Sequence, residues 1–278
     1  CNRPVVVIGR NQNPYLECSL DQLEQTGVPV VRRLSGGGAV YHDLGNLNYT
    51  FFCPEEQMDI QHQTNVIRRA LEDLGITATF SGRNDLLVEG RKISGAAYYT
   101  ENGCAYHHGT LLIDVDLEQM AQALTPSGLK LKTKSISSVR QRVANLKEIN
   151  PNLTMTAVAQ ALMARFQAEY GAAEVRTWDF EVCPPEHLER YRSAAWNLGD
   201  CPAYDAALEV PVAGGVVRVM AHVVQGAITK ASLSSDLLEA LSVLCLEQAL
   251  TGCLFTAEAI SERLEKYLRP STNTTREK

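Results

Sequence analysis

The chain is 278 residues long, with 45% hydrophobic residues, 21% charged residues and a formal net charge of −6. This is the balance of a globular protein with a sizeable core, enough for one large domain or a large and a small one. It argues against a nucleic-acid partner, and apolar runs such as Val5 to Ile8 fall far short of the roughly 18 residues of a membrane helix.

The opening CNRPVVVIGR has no charged segment followed by a long apolar one, so no secretory signal is read there. Cysteines stand at 1, 18, 53, 104, 183, 201, 245 and 253, with no CxxC pair among them. That spacing disfavours zinc ribbons and thioredoxin chemistry. Scattered thiols fit reduced, packed positions, and the compartment is read as the cytoplasm.

In chain order, strands are predicted at Val28 to Arg33, Ala39 to Asp43 and Leu47 to Phe52, each a β-branched or aromatic run between turn residues. A helix is predicted over Asp59 to Leu74, with Ile60, Val66, Ile67, Ala70, Leu71 and Leu74 on one face. Asp59 suits its N-cap and Gly75 its C-terminal end. Strands follow at Leu86 to Val88, Lys92 to Tyr99 and His108 to Val115, then helices at Leu117 to Leu124 and Thr156 to Tyr170, the latter ending at Gly171. Around Val182 to Asn197 the pattern turns polar and charged. A hairpin of Ala206 to Val212 with Val216 to Val223, turned at Gly214-Gly215, leads to a strand at Ile228 to Leu233. Helices at Asp236 to Leu250 and Ala257 to Leu268 complete a small α+β unit. The expected layout is a domain over 1–180, a linker over 181–202, an accessory domain over 203–270 and a disordered tail over 271–278.

Four segments concentrate the chemistry. RRLSGGGAVYHDLGN puts three glycines between two strands, where backbone N–H groups can approach a ligand closely, after an arginine pair suited to a phosphate or carboxylate. No GxxxxGK[ST] or GxGxxG string occurs, so this is not the loop-to-helix phosphate site of NTPases. A lone GGG is more often a plain hairpin turn; the adjoining His42, Asp43 and Asn46 weigh against that. GRNDLLVEGRKISG has a Glu89-Gly90 turn that sets Asp85 and Lys92 on paired strands, next to the small residues Gly95, Ala96 and Ala97. A strand lysine ordinarily snorkels to solvent. In YHHGTLL, His107 and His108 face opposite ways, so they cannot both bind one metal, and one of them is read as lining a pocket. From Gly128 to Lys147, Lys130, Lys132, Lys134, Arg140, Arg142 and Lys147 form a basic stretch, either a solvated loop or one that meets phosphate or an acidic partner.

Together these segments, with KSISSVRQRVANL and WNLGDCPAYD, resemble the lipoate–protein ligase family in order and spacing. The resemblance implies an α+β fold, a mixed β-sheet flanked by helices and related to the biotin protein ligases, with a small α+β C-terminal accessory domain. It also leads one to expect a further helix and strand before Val5 that this chain lacks. It implies attack of lipoate's carboxylate on the α-phosphate of ATP, with Mg²⁺, to give lipoyl-AMP, then transfer to a protein lysine. Lys92 would contact the carboxylate and the α-phosphate. Arg33, Ser35, Gly37, Gly38, Ala39, Val40, Tyr41, His42, Asn84 and His108 would hold ATP and lipoyl-AMP. Asp85 would meet the acceptor amine or a Mg²⁺ ion, and Lys130, Lys132 and Arg140 the acceptor or a phosphate. The implied partners are the lipoyl domains of 2-oxoacid dehydrogenase E2 subunits and the glycine cleavage H protein, with no nucleic acid and no membrane. Two other readings remain: an octanoyltransferase working through a cysteine thioester, or a non-catalytic lipoate or adenylate binder. The positions equivalent to such a nucleophile are Ser81 and Ser127, and Cys104 is the cysteine to test.

Overall fold

The computed structural model describes residues 1–81, 84–124, 142–177, 188–198, 206–212, 215–224, 226–237 and 243–268. Three sheets organise them. In the first, β1 (Val5–Ile8) lies between β2 (Val30–Arg32), to which it runs parallel, and β3 (Val40–His42), to which it runs antiparallel. The second is antiparallel: β4 (Asn46–Pro54), β8 (Cys104–Leu112), β7 (Arg91–Glu101), β6 (Asp85–Val88) and β5 (Thr79–Phe80), in that spatial order. The helices α1 (Pro14–Glu17) and α2 (Leu20–Thr26), not expected from the sequence, connect β1 to β2.

The helix α3 (Ile60–Asp73) forms where its cap and period direct. Asp59 Oδ1 accepts from His62 N at 2.8 Å, and Val66, Ile67, Ala70 and Leu71 are buried. Gly75 takes the left-handed φ of 76° that ends it. The helix covers one face of the five-stranded sheet, burying Ile67 and Leu71 with Leu86, Ile93, Leu111 and Ile113. α4 (Leu117–Ala123) packs with α2 and β1 in a second core around Val6, Ile8, Leu23 and Leu112. Next come α5 (Leu146–Ile149) and α6 (Met155–Tyr170), the latter capped by Thr154 Oγ1. Two short helices, α7 (Leu188–Arg192) and α8 (Ala194–Asn197), follow, separated at Ser193.

Two boundaries need correction. The strand expected at His108 to Val115 runs from Cys104 to Leu112, because Ile113 and Asp114 turn off the ladder and donate both N–H groups to Gly45 O at 3.0 Å. The helix expected from Asp236 starts, among described residues, at Val243. Asp236 instead accepts from Val216 N at 2.8 Å through its carboxylate, and neither it nor Leu237 is helical. The remaining C-terminal elements are β9 (Ala206–Val212), β10 (Gly215–Val224), β11 (Ala227–Ser235), α9 (Val243–Leu250) and α10 (Ala257–Leu268). They enclose their own core, with Val219, Ala221, Leu250, Ile260 and Leu264 fully buried. This unit meets the larger one through Ser235 N to Asn11 O at 3.0 Å and the Arg218–Glu17 ion pair at 3.8 Å. Among the described residues no helix is long and apolar enough to cross a membrane.

Candidate functional site

The type I′ turn is set by Glu89 and Gly90, whose φ angles of 52° and 76° join β6 to β7. Next to it the ladder carries a bulge: Leu87 pairs with Lys92 and Leu86 with Ser94, so Ile93 is left over. Ile93 drops into the core, and Lys92 comes to share a side with Gly95 and Asp85. Lys92 Nζ lies 2.8 Å from Asp85 Oδ1 as an ion pair, and Asp85 Oδ1 has no other partner.

The glycine loop between β2 and β3 is tied down from behind. Arg33 donates from Nε to Ser35 Oγ at 3.1 Å, from Nη1 to Val7 O at 3.1 Å, and from Nη2 to Gly36 O and Gly38 O at 2.6 and 2.8 Å. Burial pulls its pKa down to about 10, so it stays cationic near neutrality. Its charge is spent mainly on holding loop carbonyls. Gly37 has a φ of 88°, and a Cβ on Gly9 would sit 2.1 Å from Gly37 O, so that close approach requires glycine at position 9. The Gly37 N–H donates to Leu237 O of the C-terminal unit at 2.6 Å. Arg32 is likewise a scaffold residue, gripping the carbonyls of Gly9, Arg10 and Gln12 and those of Trp196 and Asn197 in α8.

Two histidines line the loop side. His108 Nε2 lies 2.6 Å from the buried Ser35 Oγ, and His42 Nδ1 lies 3.0 Å from Asn2 Nδ2. Burial, with Arg33's charge behind it, lowers His42 to about 4 and His108 to about 3, so both are neutral at pH 7. His107 faces the other way, bonded to Gln63 Oε1 at 3.0 Å under α3.

A cavity of about 310 Å³ gathers Arg33, Gly37, Gly38, Ala39, Val40, His42, Asn84, Lys92 and His108, a size that suits a small molecule. Ser35 stands behind His108, and Asp85 beside Lys92. Tyr41 is the exception: its side chain turns into the core and donates to Gln119 Oε1 at 3.0 Å, leaving only its main chain near the loop. Asn48, Tyr49, Thr50 and Thr110 also line the cavity and were not read from the sequence. The period-two alternation of NLNYTFF, which sets Asn48 and Thr50 on one face, was the available signal. Lys130, Lys132, Arg140 and Ser127 lie outside the described residues. Ser81 is exposed and accepts from Asp85 N at 3.3 Å. Cys104 pairs with Glu101 at the opposite end of β7, which puts it roughly 30 Å from Lys92 at a strand's rise per residue. Among the described residues no group of three or more His, Cys, Asp or Glu side chains could hold a metal ion.

Comparison with known proteins fits this geometry. Residues 1–167 match the family described as lipoyl protein ligase A/B catalytic domain, and residues 201–276 the bacterial lipoate protein ligase C-terminus. The fold is similar to P. falciparum LipL1 in complex with lipoate, at 29% identity and a TM-score of 0.75, over 95% of this chain and 80% of that one. It is also similar to a bipartite lipoate protein ligase of Thermoplasma acidophilum, described with its E2 lipoyl domain, at 29% identity and a TM-score of 0.63, over 74% and 84% of the two chains. A lipoate-protein ligase A bound with ATP matches at 27% identity and a TM-score of 0.59, over 71% and 83%. The chain belongs to the lipoate–protein ligase family.

Proposed function

We propose that this protein is an ATP-dependent lipoate–protein ligase. A lipoate carboxylate oxygen attacks the α-phosphorus of ATP, the bond to the β-phosphate oxygen breaks, and pyrophosphate leaves. A neutral lysine amine of the acceptor then attacks the acyl carbon of lipoyl-AMP, loses a proton and expels AMP. The observation that carries the reading is Lys92, a half-buried cation lining the same cavity as the glycine loop. Two anionic groups about 4 Å apart repel by about 4 kcal/mol near a protein surface, and a fixed cation with aimed N–H groups offsets that.

ATP and lipoate are the substrates bound in similar proteins. Arg33 would act mainly by shaping the loop that receives the nucleotide. Asp85, whose Oδ1 has only the Lys92 ammonium beside it, suits either the acceptor amine or a phosphate-borne Mg²⁺, which needs only one or two carboxylates. Lys130, Lys132 and Arg140 would meet the acceptor or a phosphate. We read residues 1–180 as the ligase domain, 181–202 as linker and 203–270 as the accessory domain. Acceptors would be E2 lipoyl domains and the glycine cleavage H protein, met in the cytoplasm. The test is incubation with lipoate, ATP, Mg²⁺ and an E2 lipoyl domain, followed by mass spectrometry. The lipoyl mass should arrive on one lysine only with ATP present. Transfer from an acyl-carrier donor without ATP would overturn the reading.

A further inference from the structure

Lys92 is held from behind by a segment far along the chain. Its N–H donates to Arg142 O at 2.7 Å, its carbonyl accepts from Ala144 N at 2.9 Å, and Val143 forms a parallel bridge with it. This support matters because Lys92 stands two residues past a tight turn, and the bulge at Ile93 interrupts its ladder with β6. Residues 142–144 give the strand end its second neighbour.

The same segment is gripped at several points. Asn145, 8% exposed, accepts from Val115 N at 2.9 Å through Oδ1 and donates to Val115 O at 2.8 Å through Nδ2. Glu148 Oε1 accepts from Asn145 N at 3.1 Å, and Glu148 Oε2 accepts from Arg91 Nη1 at 2.7 Å. Lys147 N donates to Ile113 O at 3.1 Å, while Ala144 and Leu146 are fully buried. Asn145 stands at the N-cap position of the four-residue α5, yet its side chain bonds Val115 rather than the helix's own first N–H groups. Those two bonds fix the segment's position against the end of β8.

We infer that Asn145, Glu148 and Arg91 are positioning residues for Lys92: they clamp residues 142–149 so that Val143 backs the strand aiming the ammonium into the cavity. The inference rests on Lys92 acting in carboxylate activation. It also makes Arg91, whose side chain leaves the opposite face of β7, a working partner of its neighbour. The strand is held through the Arg91 side chain and the Lys92 main chain together.

The experiment combines kinetics with hydrogen exchange on the full chain. Asn145→Ala should lower kcat for lipoate-dependent ATP–pyrophosphate exchange by about 10- to 100-fold, the scale of a displacement near 1 Å, with KM for ATP little changed. Amide exchange across residues 90–97 should accelerate in the variant while α3 keeps its protection. Should Asn145→Ala fail to fold, Arg91→Ala and Glu148→Ala remove a half-exposed pair that contributes little stability. Each should cost kcat about threefold or more, and the double variant should lose no more than the worse single one, as members of one contact do. Unchanged kcat in all variants, or a loss without faster exchange at 90–97, overturns the inference. A wild-type chain without lipoate-dependent pyrophosphate exchange overturns the ligase reading instead, and the amide arm still decides whether the clamp exists.

Discussion

The Lys92 ammonium lies 2.8 Å from Asp85 Oδ1, in space that exists because residue 95 has no side chain. A Cβ at Gly95 would stand 2.8 Å from Lys92 Nζ and 2.9 Å from its Cε. Only the flexible tip of a lysine would have to move, so the fold of Gly95→Ala should survive. Its pyrophosphate exchange should fall about 10-fold or more, since misplacing a reacting group by a fraction of an ångström is costly. Exchange rate and melting temperature, measured together, check this: a normal rate would mean that the lysine's seat does not matter.

Cys104 is exposed at the far end of the sheet, too remote to share an acyl group with Lys92. Cys104→Ser should therefore leave ligation within about twofold of the parent, as surface changes away from special features do. An acyl-enzyme on Cys104, seen by intact mass, would favour a thioester route.

His42, His107 and His108 are held down to about 4, about 4 and about 3, first by burial. In the unfolded chain each titrates near about 6.5. Above that pH neither state binds these protons, and stability is flat with respect to them. As pH falls below it, the unfolded chain takes up protons that the fold refuses, and stability is lost by up to about 1.4 kcal/mol per pH unit per histidine. Urea midpoints should be level between pH 7 and 8 and lower at pH 5.5. A midpoint that rises on acidification would contradict the neutral, buried assignment.

The basic stretch carries a different expectation, resting on sequence alone. If Lys130 and Lys132 meet the acceptor, replacing both with Gln should raise KM for the lipoyl domain, more steeply at low salt, because such fields are screened over roughly 8 Å at physiological ionic strength. Pyrophosphate exchange, which needs no acceptor, should not change. A loss of exchange with normal acceptor KM would assign the stretch to the nucleotide, and no change in either would make it a solvated loop.

What the sequence made legible was local. Asp59 and the spacing of Val66, Ile67, Ala70 and Leu71 announced α3, and Glu89-Gly90 announced the turn that brings Asp85 to Lys92. Gly95, Ala96 and Ala97 announced a cavity wall. The helices α1 and α2, of four and seven residues, are too short for a period to emerge. The carbonyl partners of Arg33 were not legible, because a guanidinium binds a phosphate and a ring of main-chain carbonyls equally well and only the fold decides which is near. The part Arg91 plays was not legible either, because its partner Glu148 is 57 positions distant, beyond any local pattern.

The most direct measurement is lipoate-dependent exchange of labelled pyrophosphate into ATP by the intact chain, compared with Lys92→Ala. Exchange should require lipoate and should fall by about 100-fold or more in the variant, as when one aimed donor is removed from a developing charge. Circular dichroism and melting temperature should stay close to the parent's. Exchange that proceeds without lipoate, or at the parent rate in Lys92→Ala, would contradict the account.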